Sequence, residues 1–120
     1  MNPLPSFSLH RPRTLEEALG LLRELEGARP LAGGTDLLTL LRDGAVRAKH
    51  LVCLGSVGGL EYIREEDGEI RIGALTTHAQ LLRSELIAAK APALREAAAS
   101  IGSVQIRNMG TIGGNLCNAS

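Results

Sequence analysis

Two short glycine-rich stretches have the composition of anion-binding loops. The first reads "AGGTD" over residues 32–36, and the second reads "TIGGN" over residues 111–115. Each sets a hydroxyl beside a glycine pair, and without Cβ atoms several backbone N–H groups can converge on one point. Taken alone, each stretch is more often a tight turn. As a pair they favour two neutral loops that clamp a diphosphate, although neither matches the Rossmann or P-loop fingerprint.

Composition narrows the class of ligand and partner. The chain has 120 residues, enough for one small domain, and its aromatic fraction is only 2%. Lys plus Arg balance Asp plus Glu at 13 each. Base stacking therefore cannot dominate recognition, and the absence of a basic run argues against nucleic acid as a partner.

Cysteine and histidine usage argues against a resident metal centre. The two cysteines, Cys53 and Cys117, are too few for an iron–sulfur cluster or a structural zinc site. Cys53 lies in an apolar run and is expected to be a buried, inert thiol. The three histidines, His10, His50 and His78, are scattered, so no metal site is predicted. No leader-like segment or apolar run of about 18 residues occurs, so we expect a cytoplasmic protein without a membrane span.

The first half of the chain alternates strand and helix patterns. "SFSLHRP", "ARPLAGG" and "AKHLVCLGSV" favour strands, and "TDLLTLLRDG" favours a helix that ends at Gly44. Thr14 and Glu17 form a candidate capping box for another helix, with apolar residues at helical spacing and an end at Gly27. This order predicts a small parallel α/β lobe over residues 1–57, with the first glycine-rich loop at a strand end that opens a helix.

The second half begins a different lobe, predicted to cover residues 58–120. Asp67 and Gly68 separate two alternating runs, which indicates an antiparallel hairpin. Thr77 and Gln80 form a second candidate capping box. An alanine-rich helix with Pro92 in its first turn follows, and its alanine face permits close helix-to-sheet packing.

Three segments carry a family resemblance: "PLAGGTDLL", "IRIGALTTHAQL" and "ASIGSVQIRNMGTIGGNLCNAS". They resemble the FAD-binding subunit or domain of the molybdenum hydroxylases, which include xanthine dehydrogenase, the medium subunit of aerobic carbon monoxide dehydrogenase and 4-hydroxybenzoyl-CoA reductase. The resemblance covers essentially the whole chain. It implies an α+β fold of the vanillyl-alcohol-oxidase (PCMH) type, with a small α/β lobe followed by the start of an incomplete antiparallel lobe.

The same resemblance implies the cofactor, FAD, and a set of residues that bind it. The first loop would hold the pyrophosphate, and the second would contact the pyrophosphate and the ribityl chain. One further position would line the site. Carried over to this sequence, the expected FAD-binding residues are Ala32, Gly33, Gly34, Thr35, Asp36, Leu37, Ile101, Thr111, Ile112, Gly113, Gly114 and Asn115. No catalytic acid or base and no metal ligand is expected.

The implied role is electron transfer from an iron–sulfur partner to an external acceptor. The clusters would lie on a second subunit and the molybdenum cofactor on a third. Family members continue beyond "NLCNAS", so the chain is expected to be a fragment that is inactive alone. The alternative is a truncated binding or assembly module that keeps the fold without flavin. A visible absorption spectrum distinguishes the two.

Overall fold

The computed structural model describes residues 6–32, 41–42, 44, 47–101, 107 and 110–114. The chain divides into two compact units, Met1–Gly58 and Gly59–Ser120.

A three-stranded parallel sheet forms the centre of the first unit. Its strands are β1 (Ser8–His10), β2 (Ala28–Leu31) and β3 (His50–Cys53), in the order β1-β3-β2. Because β3 pairs on both sides, Leu51 and Val52 are fully buried. The three predicted strands and their parallel α/β arrangement are confirmed.

Helix α1 (Leu15–Glu24) packs against β2 and β3. Thr14 caps it, since its Oγ1 accepts a hydrogen bond from the N–H of Glu17 at 3.1 Å. The reciprocal half of the predicted capping box is wrong. The Glu17 carboxylate accepts instead from the N–H of Arg13, one residue further out, at 3.2 Å.

The end of α1 also differs from the prediction. The helix ends at Glu24, and Leu25 is already extended. Gly27 has a φ of +76° and turns the chain into β2. A left-handed residue suits glycine, which explains its presence after the helix rather than at the helix end.

The helix predicted over "TDLLTLLRDG" lies largely outside the described residues. Leu41 and Arg42 are helical, and Leu41 is buried at 2% exposure. Gly44 follows with a φ of +76°.

A β-hairpin opens the second unit. Strands β4 (Ile63–Glu66) and β5 (Glu69–Ile72) pair antiparallel around a two-residue turn. Asp67 has a φ of 52° and Gly68 a φ of 76°, so both turn residues are left-handed, as a type I′ turn requires. The predicted hairpin is confirmed.

Three short helices, α2 (His78–Arg83), α3 (Glu85–Lys90) and α4 (Pro92–Ala99), follow the hairpin. Each contributes one buried residue to a common core cluster: Leu81, Ile87 and Ala98. Isoleucines of the hairpin pack against this cluster and attach the sheet to the helices.

The predicted helix starts in this region are confirmed. Thr77 and Gln80 make both halves of a capping box: the Thr77 N–H donates to Gln80 Oε1 at 2.8 Å, and the Gln80 N–H donates to Thr77 Oγ1 at 3.2 Å. Pro92 occupies the first turn of α4. Ser84 ends α2 and caps α3, a division that apolar spacing did not indicate.

Two burial expectations are wrong. Among the alanines of α3 and α4, only Ala98 is buried, so within the described residues there is no alanine face packed on the sheet. Cys53 is only partly buried because it ends β3, beyond the fully buried pair Leu51 and Val52. None of the helices in the described ranges combines the length and the hydropathy that a membrane crossing requires.

At two glycines, the effect of backbone conformation on stability can be measured without a change in side-chain packing. A Cβ built on Gly20, within α1, or on Gly68 meets no heavy atom of the described residues within 4 Å, apart from its chain neighbours and, for Gly20, the nearby backbone of its own helix. Gly20→Ala is expected to stabilise the protein by about 0.5–1 kcal/mol, because alanine lowers the conformational entropy of the unfolded chain and is compatible with a helix. Gly68→Ala is expected to destabilise by about 1–2 kcal/mol because alanine is strained at a φ of +76°.

Denaturant midpoints of the two variants in the intact gene product provide the measurement. Equal shifts of the same sign at both positions would contradict the described turn.

Candidate functional site

The structure describes part of each predicted glycine-rich loop. Ala32 follows β2 directly and is half-buried. The rest of the first set, Gly33, Gly34, Thr35, Asp36 and Leu37, lies outside the described residues, as does Asn115. From the second set, Ile101, Thr111, Ile112, Gly113 and Gly114 are described.

A four-residue segment after β5, residues 73–76, determines where the second loop lies. On one side it continues the hairpin pairing. The N–H of Gly73 donates to the Tyr62 carbonyl, and the N–H of Leu75 donates to the Leu60 carbonyl, both at 2.9 Å. A Cβ on Gly73 would overlap the Leu60 carbonyl, so only glycine fits at this crossing.

On its other side the same segment binds the second loop. The N–H of Ile112 donates to the Thr76 carbonyl, and the N–H of Gly113 donates to the Ala74 carbonyl, each at 2.9 Å. A Cβ on Gly113 would lie 2.7 Å from the Ala74 oxygen. Gly113 is therefore required by the chain's own backbone, whatever else the loop contacts.

Thr111 caps the short helical stretch at residues 112–114. Its Oγ1 accepts from the N–H of Gly114 at 3.0 Å, and its backbone forms an isolated bridge with Thr77. Next to this bridge, the N–H of His78 donates to the Gly110 carbonyl at 3.2 Å. Thr111 is only 6% exposed, so its side chain is part of the internal framework.

These bonds occupy the backbone donors of the second loop. The N–H groups of Ile112, Gly113 and Gly114 all have acceptors within the chain. An N–H group already bonded to a carbonyl or hydroxyl is a poor donor to a ligand, since it must share or exchange its partner.

Arg107 is a residue that sequence reasoning missed. Its Nη1 donates to the Ile101 carbonyl at 3.0 Å and to the Ala99 carbonyl at 3.4 Å. A cation here satisfies carbonyls at the C-terminal end of α4 and interacts favourably with the helix dipole. It also holds the backbone of Ile101, one of the predicted site residues. A basic residue shortly after an alanine-rich helix is the sequence feature that could have indicated this contact with the helix end.

The histidines are less scattered in space than in sequence. His10 Nε2 and His50 Nδ1 lie 3.0 Å apart and form a half-buried hydrogen bond between β1 and β3. Parallel pairing sets Ser8 opposite His50, which brings His10 to the same face. Among the described residues, no group of three His, Cys, Asp or Glu side chains is placed to hold a metal ion.

His78 is buried beside the second loop. It is 5% exposed, and burial lowers the pKa of its imidazole below the ordinary value of 6.5. The neutral ring is thus the form that the folded chain favours.

Nearly the whole length of the chain matches a known family. A family model described as the FAD-binding domain in molybdopterin dehydrogenase matches residues 5–120, which include both glycine-rich loops. The chain belongs to this family. The resemblance inferred from the three segments and FAD as the cofactor are thereby confirmed.

Curated relatives agree with this membership. The chain is 46% identical over 114 residues to the carbon monoxide dehydrogenase medium chain of Afipia carboxidovorans, covering 94% of this chain and 40% of the relative. It is 42% identical to the nicotinate dehydrogenase FAD-subunit of Eubacterium barkeri, covering 98% and 40%. The chain thus spans about 40% of the length of these relatives.

Solved structures confirm the α+β fold class. Reconstituted carbon monoxide dehydrogenase from Oligotropha carboxidovorans superposes with a TM-score of 0.95 at 44% identity, covering 98% of this chain and 42% of the other. Quinoline 2-oxidoreductase from Pseudomonas putida 86 superposes with a TM-score of 0.94 at 34% identity, covering 98% and 41%.

The role of Gly113 can be tested by adding one methyl group. Gly113→Ala is expected to destabilise the intact gene product by about 1–3 kcal/mol, because the new Cβ must displace the Ala74 backbone. Any flavin loss should then follow the loss of stability. Gly58→Ala is the control, since its Cβ meets no described atom within 4 Å. Thermal midpoint and flavin content are measured together, and flavin loss at an unchanged midpoint would contradict the structural role.

The buried His78 predicts a pH dependence of stability. As pH falls below 6.5, the unfolded chain takes up a proton at this residue before the folded chain does. The free energy of unfolding should therefore fall as the pH is lowered from about 7.5 through 6.5, by at most about 1.4 kcal/mol per pH unit.

The measurement is the difference in the free energy of unfolding between wild type and His78→Gln at each pH. Taking this difference removes the contributions of His10 and His50. A difference that stays constant across this range would show that His78 titrates alike in both states.

Proposed function

We propose that the intact gene product is the FAD-binding, electron-transferring component of a molybdenum hydroxylase-type oxidoreductase. It would pass electrons from an iron–sulfur partner to an external acceptor. The observation that carries the proposal is the family match over residues 5–120, within which both glycine-rich loops fall in order.

We further propose a division of labour between the loops. The second loop presents small, uncharged residues, so its described part has no carboxylate to repel a diphosphate. Three of its N–H groups are already bonded. The donors to the FAD diphosphate would therefore be mainly backbone N–H groups of the first loop, together with the Thr35 hydroxyl: the loop residues are Ala32, Gly33, Gly34, Thr35, Asp36 and Leu37.

In this arrangement the second loop contributes close contact surface and the Asn115 side chain. Thr111, Ile112, Gly113, Gly114 and Asn115 would face the pyrophosphate and the ribityl chain, and Ile101 would line the site. Bound FAD would supply the one- and two-electron chemistry, while these residues bind and orient it. No acid or base is assigned among them.

The partners belong to the same proposal. Several relatives are named as subunits, among them the FAD-subunit of nicotinate dehydrogenase. With two cysteines, this chain cannot itself ligate an iron–sulfur cluster. An iron–sulfur subunit and a molybdenum-cofactor subunit are the proposed partners. Residues 1–57 and 58–120 would form successive lobes of the FAD-binding domain, and the observed division after Gly58 supports that boundary.

Flavin retention tests the proposal directly. The intact gene product, expressed with its neighbouring genes, is expected to purify with flavin absorption bands and with both partner subunits. Gly33→Val is expected to abolish flavin retention with little change in helix content, because its side chain would obstruct the first loop's approach to the diphosphate.

Gly20→Ala, in α1, is the matched glycine control and should remain fully yellow. A Gly33→Val protein that keeps its flavin would reject the assignment of the first loop. A colourless wild type that purifies alone would favour the alternative, a binding module without flavin.

A further inference from the structure

Thr76 uses all of its polar groups inside the fold. It is 1% exposed. Its Oγ1 accepts from the Tyr62 N–H at 3.2 Å and donates to the Tyr62 carbonyl at 3.0 Å. Its N–H donates to the Gly73 carbonyl at 3.0 Å, and its carbonyl accepts from the Ile112 N–H at 2.9 Å.

The Thr76 hydroxyl makes hydrogen bonds that an apolar side chain of the same shape cannot make. A buried hydroxyl costs free energy unless it is hydrogen-bonded, so simple packing at this position would favour valine. Here the hydroxyl takes the place of a main-chain acceptor for the Tyr62 N–H, and it shares the Tyr62 carbonyl with the N–H of Gly73. Removing it leaves the Tyr62 N–H without this partner.

The bonds on either side of Thr76 connect the hairpin to the second glycine-rich loop. The hydroxyl faces Tyr62, and the carbonyl faces Ile112. Ala74, two residues earlier, holds Gly113 in the same way. The position of the loop backbone therefore depends on how firmly residues 73–76 are held on the hairpin side.

We propose that Thr76 is a positioning residue of the flavin site. Its hydroxyl fixes residues 73–76 against Tyr62, and the carbonyls of that segment then set the position of Ile112 and Gly113. The inference rests on the proposed function, in which this loop contacts FAD. Thr76 itself would not touch the cofactor.

The test compares Thr76→Val, Thr76→Ser and Gly68→Ala in the intact gene product. Valine keeps the shape and removes the hydroxyl, whereas serine keeps the hydroxyl. Gly68→Ala destabilises the same unit at the hairpin turn, away from residues 73–76. The apoproteins are titrated with FAD, and the dissociation constant, the visible circular dichroism of the bound flavin and the thermal midpoint are recorded.

Thr76→Val is expected to raise the FAD dissociation constant about tenfold and to change the visible dichroism bands. Thr76→Ser and Gly68→Ala should stay within about threefold of wild type, even if Gly68→Ala lowers the thermal midpoint as much as Thr76→Val does. If Thr76→Val does not fold, Thr76→Cys replaces it. Its weak S–H donor should give an intermediate dissociation constant.

Three outcomes overturn the inference. Wild-type affinity and dichroism in Thr76→Val, or in Thr76→Cys if that variant is used, would show that the hydroxyl does not position the loop. A Thr76→Ser variant as weak as Thr76→Val would assign the effect to the methyl group. A wild type that binds no FAD would overturn this inference together with the proposed function, whereas either of the first two results in a flavin-binding wild type overturns this inference alone.

Discussion

The second unit depends on one backbone arrangement, in which residues 73–76 pair with a neighbour on each side. Two glycines make this possible, because both contacts are closer than a Cβ allows. Gly73 lies against the Leu60 carbonyl, and Gly113 lies against the Ala74 carbonyl. Hydrogen bonds of 2.9 Å on both sides follow from that approach. The hairpin and the loop are therefore parts of one hydrogen-bonded structure.

This arrangement changes how a glycine-rich motif should be interpreted. A glycine pair near a hydroxyl suggests a loop whose backbone N–H groups a ligand can approach closely. In the second loop, the missing Cβ of Gly113 instead makes room for the Ala74 carbonyl. The Thr111 hydroxyl accepts a hydrogen bond from the N–H of Gly114. Folding therefore constrains this motif before any ligand does. In the proposed FAD site, the demand for anion-binding donors then falls on the first loop.

Polar groups of the second unit add further internal hydrogen bonds. The Thr76 hydroxyl takes the place of a main-chain acceptor for the Tyr62 N–H, and the Arg107 guanidinium satisfies carbonyls at the end of α4. His78 donates its backbone N–H to the Gly110 carbonyl, and burial lowers the pKa of its imidazole. The surroundings of the loop are thus held by directional bonds as well as by the apolar cluster around Leu81, and such bonds specify position more narrowly than apolar contact does.

The sequence by itself determined what depends on neighbouring residues. The Asp67–Gly68 turn, the cap at Thr77 and Pro92 at a helix start follow from interactions within a few positions, and family membership follows from the same local segments. Only the tertiary structure decided which contacts form over long separations. It set Gly113 against Ala74, and it brought His10 to His50. Side-chain type and spacing do not predict such pairings. The pairings depend on how strands and loops that are distant in sequence approach one another.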